Sequence, residues 1–389
     1  MRKFLLVVAA LVAAGCSNPE RLDKGNWSPE VYDALSELIA QYGSSSPGYD
    51  PDCRPYAVFD YDNTTVLGDI SYTLVYYMLD NLKFGFTPEE SESVFCSVIP
   101  DPDMLIPVTG PKDSVSVRSL ARRFAEDYAA MYGRKDFRDM PEFEDLRTCF
   151  WNMALGIDDT VDYGTSCLWF ETLFTGYTKA GLRTLSRKAA SHATADGTFR
   201  EETWRSGGMD ATVSRGLALT PELQNLYTTL TDNGIDVYIC SASMEEIVEG
   251  MACDPKYDLG IKDDHVFGLR LMTHEDCTID MAYDPGYPQS YKEGKTDCIR
   301  TMMAPLHGGM SPILVAGDSN GDYSMLTSFP DLKVGLIFDC GNSGDIGALA
   351  ETARNDRMPL KEHLRNNTTK YVLQPRDLSI PGLIKEEHE

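Results

Sequence analysis

Apolar positions recur along the chain in two rhythms. Short unbroken runs at Tyr56-Ala57-Val58-Phe59, Ile235 to Cys240, Pro312 to Ala316 and Val334 to Phe338 predict buried strands. Val266 to Met272 and Thr278 to Tyr283 read as two further strand-like runs. Helical spacing marks Val31, Leu35, Leu38 and Ile39, and again Val117, Leu120, Ala121, Phe124, Tyr128 and Met131. Ile70 to Leu82, Pro141 to Leu155 and Thr165 to Ala190 extend this pattern, so a mainly helical insert is expected between the first two strands. Met244 to Met251 and Lys295 to Met303 predict helices between later strands. Thr220-Pro221 opens a helix that Asn233-Gly234 closes, and Ser28-Pro29 opens another with Ser28 as candidate cap. Strand and helix alternate, which predicts an α/β fold with a doubly wound parallel sheet. The expected organisation is a targeting segment at 1–16, a tether and helix at 17–55, an α/β core at 56–69 and 216–345, a helical insert at 70–215 and a C-terminal extension at 346–389.

The N-terminus carries its own signal. Met1-Arg2-Lys3 is basic and Phe4 to Ala14 is apolar, too short to span a bilayer. Small residues then lead to Cys16. This resembles a bacterial lipoprotein signal, which implies export, lipidation at Cys16 and a location anchored to the cell envelope. No Cys-x-x-Cys occurs among the nine other cysteines, so a thiolate zinc site or a redox pair is not expected. The formal charge is −25. Such a chain repels phosphate backbones, so nucleic acid is not an expected partner. A small anionic ligand would need a metal ion or a local Lys to offset the field.

In an open parallel sheet, ligands bind outside the carboxyl ends of the strands. The first strand ends in Asp60-Tyr61-Asp62-Asn63-Thr64. Carboxylates two residues apart on extended backbone point to one side, and a divalent ion relieves their repulsion. An Asx-rich turn accounts for the same residues. The second strand leads to Ser241, whose hydroxyl suits an anionic oxygen or a helix cap. The third ends in Gly317-Asp318-Ser319-Asn320-Gly321-Asp322, hard oxygen donors suited to Mg²⁺ or a turn before a capped helix. Lys295 opens a helix, where a cation opposes the helix dipole, although a solvated surface Lys is the ordinary reading.

In this order and strand context, these residues resemble the haloacid dehalogenase-like phosphohydrolase superfamily. Asp60 to Thr64 match its first motif, Ser241 the second, Lys295 the third, and Gly317 to Asp322 the fourth. The insert stands where the phosphoserine phosphatase-like branch carries its cap. Segments such as Asn26-Trp27-Ser28-Pro29 and Val266 to Leu271 look like exported phosphorylcholine phosphatases. Gly321 departs from phosphoserine phosphatases, which usually carry Asn directly before the last Asp.

The resemblance implies a Mg²⁺-dependent phosphatase of a small-molecule phosphomonoester, working through an aspartyl-phosphate. It makes Asp60 the nucleophile and Asp62 the acid and base. It assigns Ser241, Lys295, Asn63 and Thr64 to the phosphoryl group, and Asp60, Asp62, Asp318 and Asp322 to the metal. Phosphocholine and phosphoserine-like compounds are the expected substrate types. A phosphotransferase on the same intermediate and a non-catalytic ligand-binding lipoprotein are the alternatives. For specificity, Tyr72, Tyr76, Tyr77, Trp151, Trp169, Phe170 and Trp204 are candidates for an aromatic cage, and Glu171 for pairing with an amine. Helix packing is the competing role for each aromatic.

Overall fold

The computed structural model describes residues 21–110 and 114–384, so the expectations for Cys16 and its leader lie outside the described residues. Six strands form one parallel sheet: β1 (Tyr56–Phe59), β2 (Asp236–Met244), β3 (Val266–Leu269), β4 (Leu314–Gly317), β5 (Val334–Asp339) and β6 (Lys370–Pro375). Their spatial order is β6-β5-β4-β1-β2-β3. All residues of β1, β3 and β4 are buried, because helices cover both faces of the sheet. β1 is central, with Phe59 opposite both Ala316 and Ile239. Strand pairing continues one residue further, where the Asp60 N–H donates to the Ala316 carbonyl at 2.9 Å. The chain order reverses on either side of β1, and the carboxyl ends of β1, β2 and β4 share that rim.

Between β1 and β2 stand the helices Ile70–Asn81, Pro88–Cys96, Val117–Met131, Pro141–Asp158, Tyr163–Glu171 and Lys179–Asp196. This insert also holds an antiparallel hairpin, Arg200–Ser206 against Met209–Arg215. Gly207 and Gly208 both take positive φ, as a two-residue hairpin turn requires. The expected helix over 165–190 is interrupted. A short 3-10 turn, Thr172–Phe174, separates its two parts, and Thr178 caps the second through the Gly181 N–H. Among the described residues, no helix is long and apolar enough to cross a membrane.

Two differences from the sequence reading matter for the site. The stretch after 345 supplies the helices Asp345–Asn355 and Leu360–Asn366 and then β6, the edge of the core sheet. Ser28 does not cap its helix. Its hydroxyl donates to the Leu373 carbonyl at 3.0 Å, and its N–H donates to Gln374 Oε1 at 2.8 Å. A tertiary partner thus outcompetes the local one, and the N-terminal helix is pinned to β6.

Candidate active site

Past β1 the backbone leaves extended geometry at once. Asn63 takes φ 55°, a left-handed conformation that Asn tolerates better than most residues. Its side chain stabilises the turn by accepting the Gly68 N–H at 3.1 Å. Thr65 Oγ1 donates to the Asp60 carbonyl at 2.6 Å and meets the Tyr227 hydroxyl at 2.6 Å. These contacts hold the main chain on either side of Asp62. The Asp62 carboxylate is itself fixed at both oxygens, by the Ile70 N–H at 2.6 Å and the Ser243 hydroxyl at 2.8 Å.

The fourth segment folds around Asp322. One of its oxygens accepts the N–H groups of Asp318 and Ser319, both at 3.0 Å. The other accepts from Lys295 Nζ at 2.6 Å. Gly317 makes this possible, since a Cβ there would lie 2.4 Å from the Asp322 Cβ. Lys295 also donates to Asp60 Oδ1 at 2.5 Å. Carboxylate oxygens of Asp60, Asp318 and Asp322 lie within 4.8 Å of one another. All three residues are buried, and Lys295 is only 2% exposed.

Burial, then the charge of Asp322, pushes Asp60 up to about 7, with Lys295 opposing. Burial, then Asp322 and Asp60, raises Asp318 well above the usual range. Asp62 is raised well above it too, by burial and then Asp69, against the hydrogen bonds from Ile70 and Ser243. Burial would lower Lys295, but Asp322 and Asp60 more than offset that and hold it well above its ordinary value. Too much negative charge is gathered here for one ammonium. A divalent cation fits this donor set. Asp322 is engaged at both oxygens by protein donors, which leaves Asp60 and Asp318 as the side chains with ligand capacity.

A cavity of 320 Å³ opens above the cluster, bounded by the insert. Asp60, Asp62, Asn63, Lys295 and Asp318 line it from the sheet side. Ser241 lies inside β2 at an irregularity in the β2–β3 register, and its oxygen accepts the Ser243 N–H at 3.1 Å. Thr64 is fully buried and donates to Asp318 Oδ1 at 3.4 Å. Neither Ser241, Thr64 nor Asp322 lines the cavity, so the structure brings these three close to the chemistry without exposing them to it.

On the insert side the cavity is walled by Tyr72, Trp151, Tyr163 and Phe170, with Asp69, Asp158 and Glu171 among them. The Tyr72 ring lies 5.1 Å from Trp151 and 5.5 Å from Phe170. Glu171 is 3% exposed, and its Oε2 has no hydrogen-bond partner among the described residues. Burial, then Glu246 and Asp69, raises it well above the usual carboxylate range. The other aromatic candidates lie elsewhere. Trp169 is core, donating to the Phe95 carbonyl at 2.9 Å and stacked on Phe150. Trp204 is buried, and Tyr76 and Tyr77 line a separate cavity of 500 Å³. Sequence reasoning missed Ser243, Asp69 and Tyr163. Ser243 was two residues from a singled-out Ser, but its hydrogen bond to Asp62 spans 181 positions.

No protein-family model matches the chain. A phosphorylcholine phosphatase from Pseudomonas aeruginosa is 24% identical over 338 residues, covering 81% of this chain and 80% of that one. The crystal structure of a conserved protein of unknown function from Anaerococcus prevotii superposes with a TM-score of 0.82 at 26% identity, over 95% of this chain and 98% of that one. The motif segments stand in order at the rim of one parallel sheet with an insert behind the first of them, and this arrangement, like the similarity to the Pseudomonas phosphatase, agrees with the resemblance to the haloacid dehalogenase-like superfamily.

Proposed function

We propose that the chain is a Mg²⁺-dependent phosphatase of small phosphomonoesters whose alcohol carries a positive charge, phosphocholine being the model substrate. One observation carries the reading: a Lys-bridged carboxylate cluster and an aromatic, acid-lined wall face each other across a single 320 Å³ cavity. The name of the Pseudomonas relative agrees with it.

Asp60 attacks phosphorus, and the bond from phosphorus to the substrate oxygen breaks. Asp62 gives its proton to the departing alcohol. Its raised pKa suits that role, because the group must hold a proton near neutral pH. Water then attacks the aspartyl-phosphate, Asp62 takes a proton from it, and inorganic phosphate leaves with the Asp60 carboxylate restored. Ser243 and the Ile70 N–H keep Asp62 aimed through both steps. Lys295 offsets the charge of the phosphoryl oxygens, and the Ser241 hydroxyl oxygen holds the Ser243 N–H. Asp60, Asp318 and the Asp62 main-chain carbonyl would hold Mg²⁺, with Asp322 behind them. Bound there, the ion supplies the charge neutralisation that lets a carboxylate approach an anionic phosphoryl group. Tyr72, Trp151 and Phe170 offer faces to a cationic head group, and Glu171 a countercharge.

Phosphate release from phosphocholine, phosphoethanolamine and phosphoserine with Mg²⁺ tests the reading. Turnover of one of them, abolished in Asp60→Asn, is expected. Undiminished turnover in that variant rejects the nucleophile. Export and lipidation at Cys16 belong to the same proposal, supported by the basic start, the apolar run and the small residues before the Cys. Cys16→Ala should move the protein from the membrane to the soluble fraction.

A further inference from the structure

We propose that Arg376, at the end of the C-terminal edge strand, is a positioning residue that holds the nucleophile loop in its working shape; the catalytic half of this rests on the phosphatase reading above. Arg376 is 4% exposed and lies 312 positions from Thr64. Its Nη1 donates to three main-chain carbonyls of one turn, those of Asn63, Thr64 at 3.1 Å and Val66 at 3.0 Å. Its Nε and Nη2 are buried with no partner among the described residues. Every hydrogen bond this guanidinium makes is therefore spent on that one turn.

The rest of the side chain is built to keep Nη1 in place. The guanidinium carbon lies 4.4 Å from the Phe338 ring centroid, so an aromatic face supports the cation. The Arg376 N–H donates to the Asp339 carbonyl at 3.0 Å, continuing the β5–β6 pairing. Gln374 and Leu373 anchor the same strand to Ser28. The brace thus stands on a rigid edge of the sheet. What it grips is the segment immediately after Asp62, where Asn63 holds a positive φ. If that turn relaxes, the Asp62 carbonyl and carboxylate move relative to Asp60 while the nucleophile stays on its strand. A misplacement of about 1 Å can cost about 10²-fold in rate.

The test compares Arg376→Met and Arg376→Lys with wild type and with Lys370→Met. Lys370 is buried in the same strand and pairs with Glu30 at 2.7 Å, so its loss weakens the strand without touching the turn. Amide hydrogen exchange at Asn63 and Val66, whose N–H groups bond to the Gly68 and Tyr61 carbonyls, reports the turn without needing turnover. We expect faster exchange there in Arg376→Met, unchanged exchange at Val315 and Ala316, and protection largely restored by Lys. In phosphate release, kcat falls about 10²-fold with KM within about threefold, and Lys recovers most of kcat. Unchanged exchange at Asn63 and Val66 overturns the brace. A loss of kcat that Lys370→Met reproduces at equal loss of Tm overturns the catalytic half. If wild type turns over none of the esters, the functional reading fails, and the exchange result still decides whether Arg376 holds the turn. Should Arg376→Met not fold, Arg376→Gln and Arg376→Lys carry the same comparisons.

Discussion

Lys295 Nζ stands 2.5 Å from Asp60 Oδ1, joining a helix that follows β3 to the end of the central strand. Both groups are buried, so the bridge works where water cannot screen it. Lys295 also holds Asp322, whose other oxygen fixes the Asp318 backbone. One ammonium therefore bridges two carboxylates and, through Asp322, reaches the backbone of the third residue. In metal-free buffer at pH 8, Lys295→Met should lose about 3–5 kcal/mol of stability, the usual result of unpairing a buried ion. The loss should shrink at pH 5, where the carboxyls take up protons. Urea unfolding at the two pH values measures this. A variant as stable as wild type at pH 8 would mean that the cluster does not need its cation.

Divalent metal should do from outside what Lys295 does from within. Mg²⁺ at about 100 times its Kd should stabilise the folded chain by about 2.7 kcal/mol. Asp318→Asn removes one of the two side chains with free ligand capacity and should abolish most of that gain. Thermal unfolding with EDTA and with Mg²⁺ reads it out. Equal midpoints for wild type in the two buffers would contradict a metal at this cluster.

Glu171 gives the cap wall a buried carboxyl with one unpartnered oxygen, which a cationic head group placed beside it would draw into the charged form. Glu171→Gln keeps the shape and removes the charge. KM for phosphocholine should rise about tenfold, equivalent to about 1.4 kcal/mol. KM for an uncharged aryl phosphate should stay within about twofold, because such an ester presents no cation to lose. An equal rise for both esters would assign Glu171 to the architecture of the cap.

The acidic rim of the sheet was legible because its pattern is local. Asp60 and Asp62 sit at fixed offsets from a run of four apolar residues, and Asp318 and Asp322 follow the same logic after β4. Periodicity placed the core strands and most cap helices for the same reason. What was not legible depends on distant partners. Ser28 looks like a helix cap until Leu373 and Gln374 arrive from the other end of the chain. Lys370 to Pro375 escaped notice as a strand because only alternate residues are buried and the first of these is a lysine, neutralised by Glu30 and Asp356. Trp151 and Trp169 are both cap aromatics in sequence. Only packing separates the one that lines the cavity from the one that donates to Phe95. The hairpin at Gly207-Gly208 did carry a local signal, a paired glycine between alternating residues, and the helical expectation for the insert passed over it.

Asp127 offers a test of cap electrostatics outside the Asp60, Asp318 and Asp322 cluster. It lies on the helix Val117–Met131, is 9% exposed, and leaves Oδ2 without a partner among the described residues. Burial, then hydrogen bonding to Asp145 and its charge, raises Asp127 to about 8, while Arg123 opposes. Arg123 itself is committed to both oxygens of Asp145. Between about pH 4 and pH 8 the folded chain therefore keeps a proton on Asp127 that the unfolded chain has released. Folding binds protons in that window, so this group favours the folded state fully below about pH 4. Its contribution is lost progressively as pH rises to about 8. Asp145 is shifted the other way, and its contribution is lost only as pH falls through the acid range. Asp127→Asn abolishes the Asp127 titration and leaves every other titrating group in place. Relative to wild type, the Asn variant should therefore gain stability from about pH 5.5 to about pH 8 and level off above it. Denaturant unfolding of both proteins at several pH values gives the difference directly, and curves that run parallel across the window would show that Asp127 is already ionised in the folded cap.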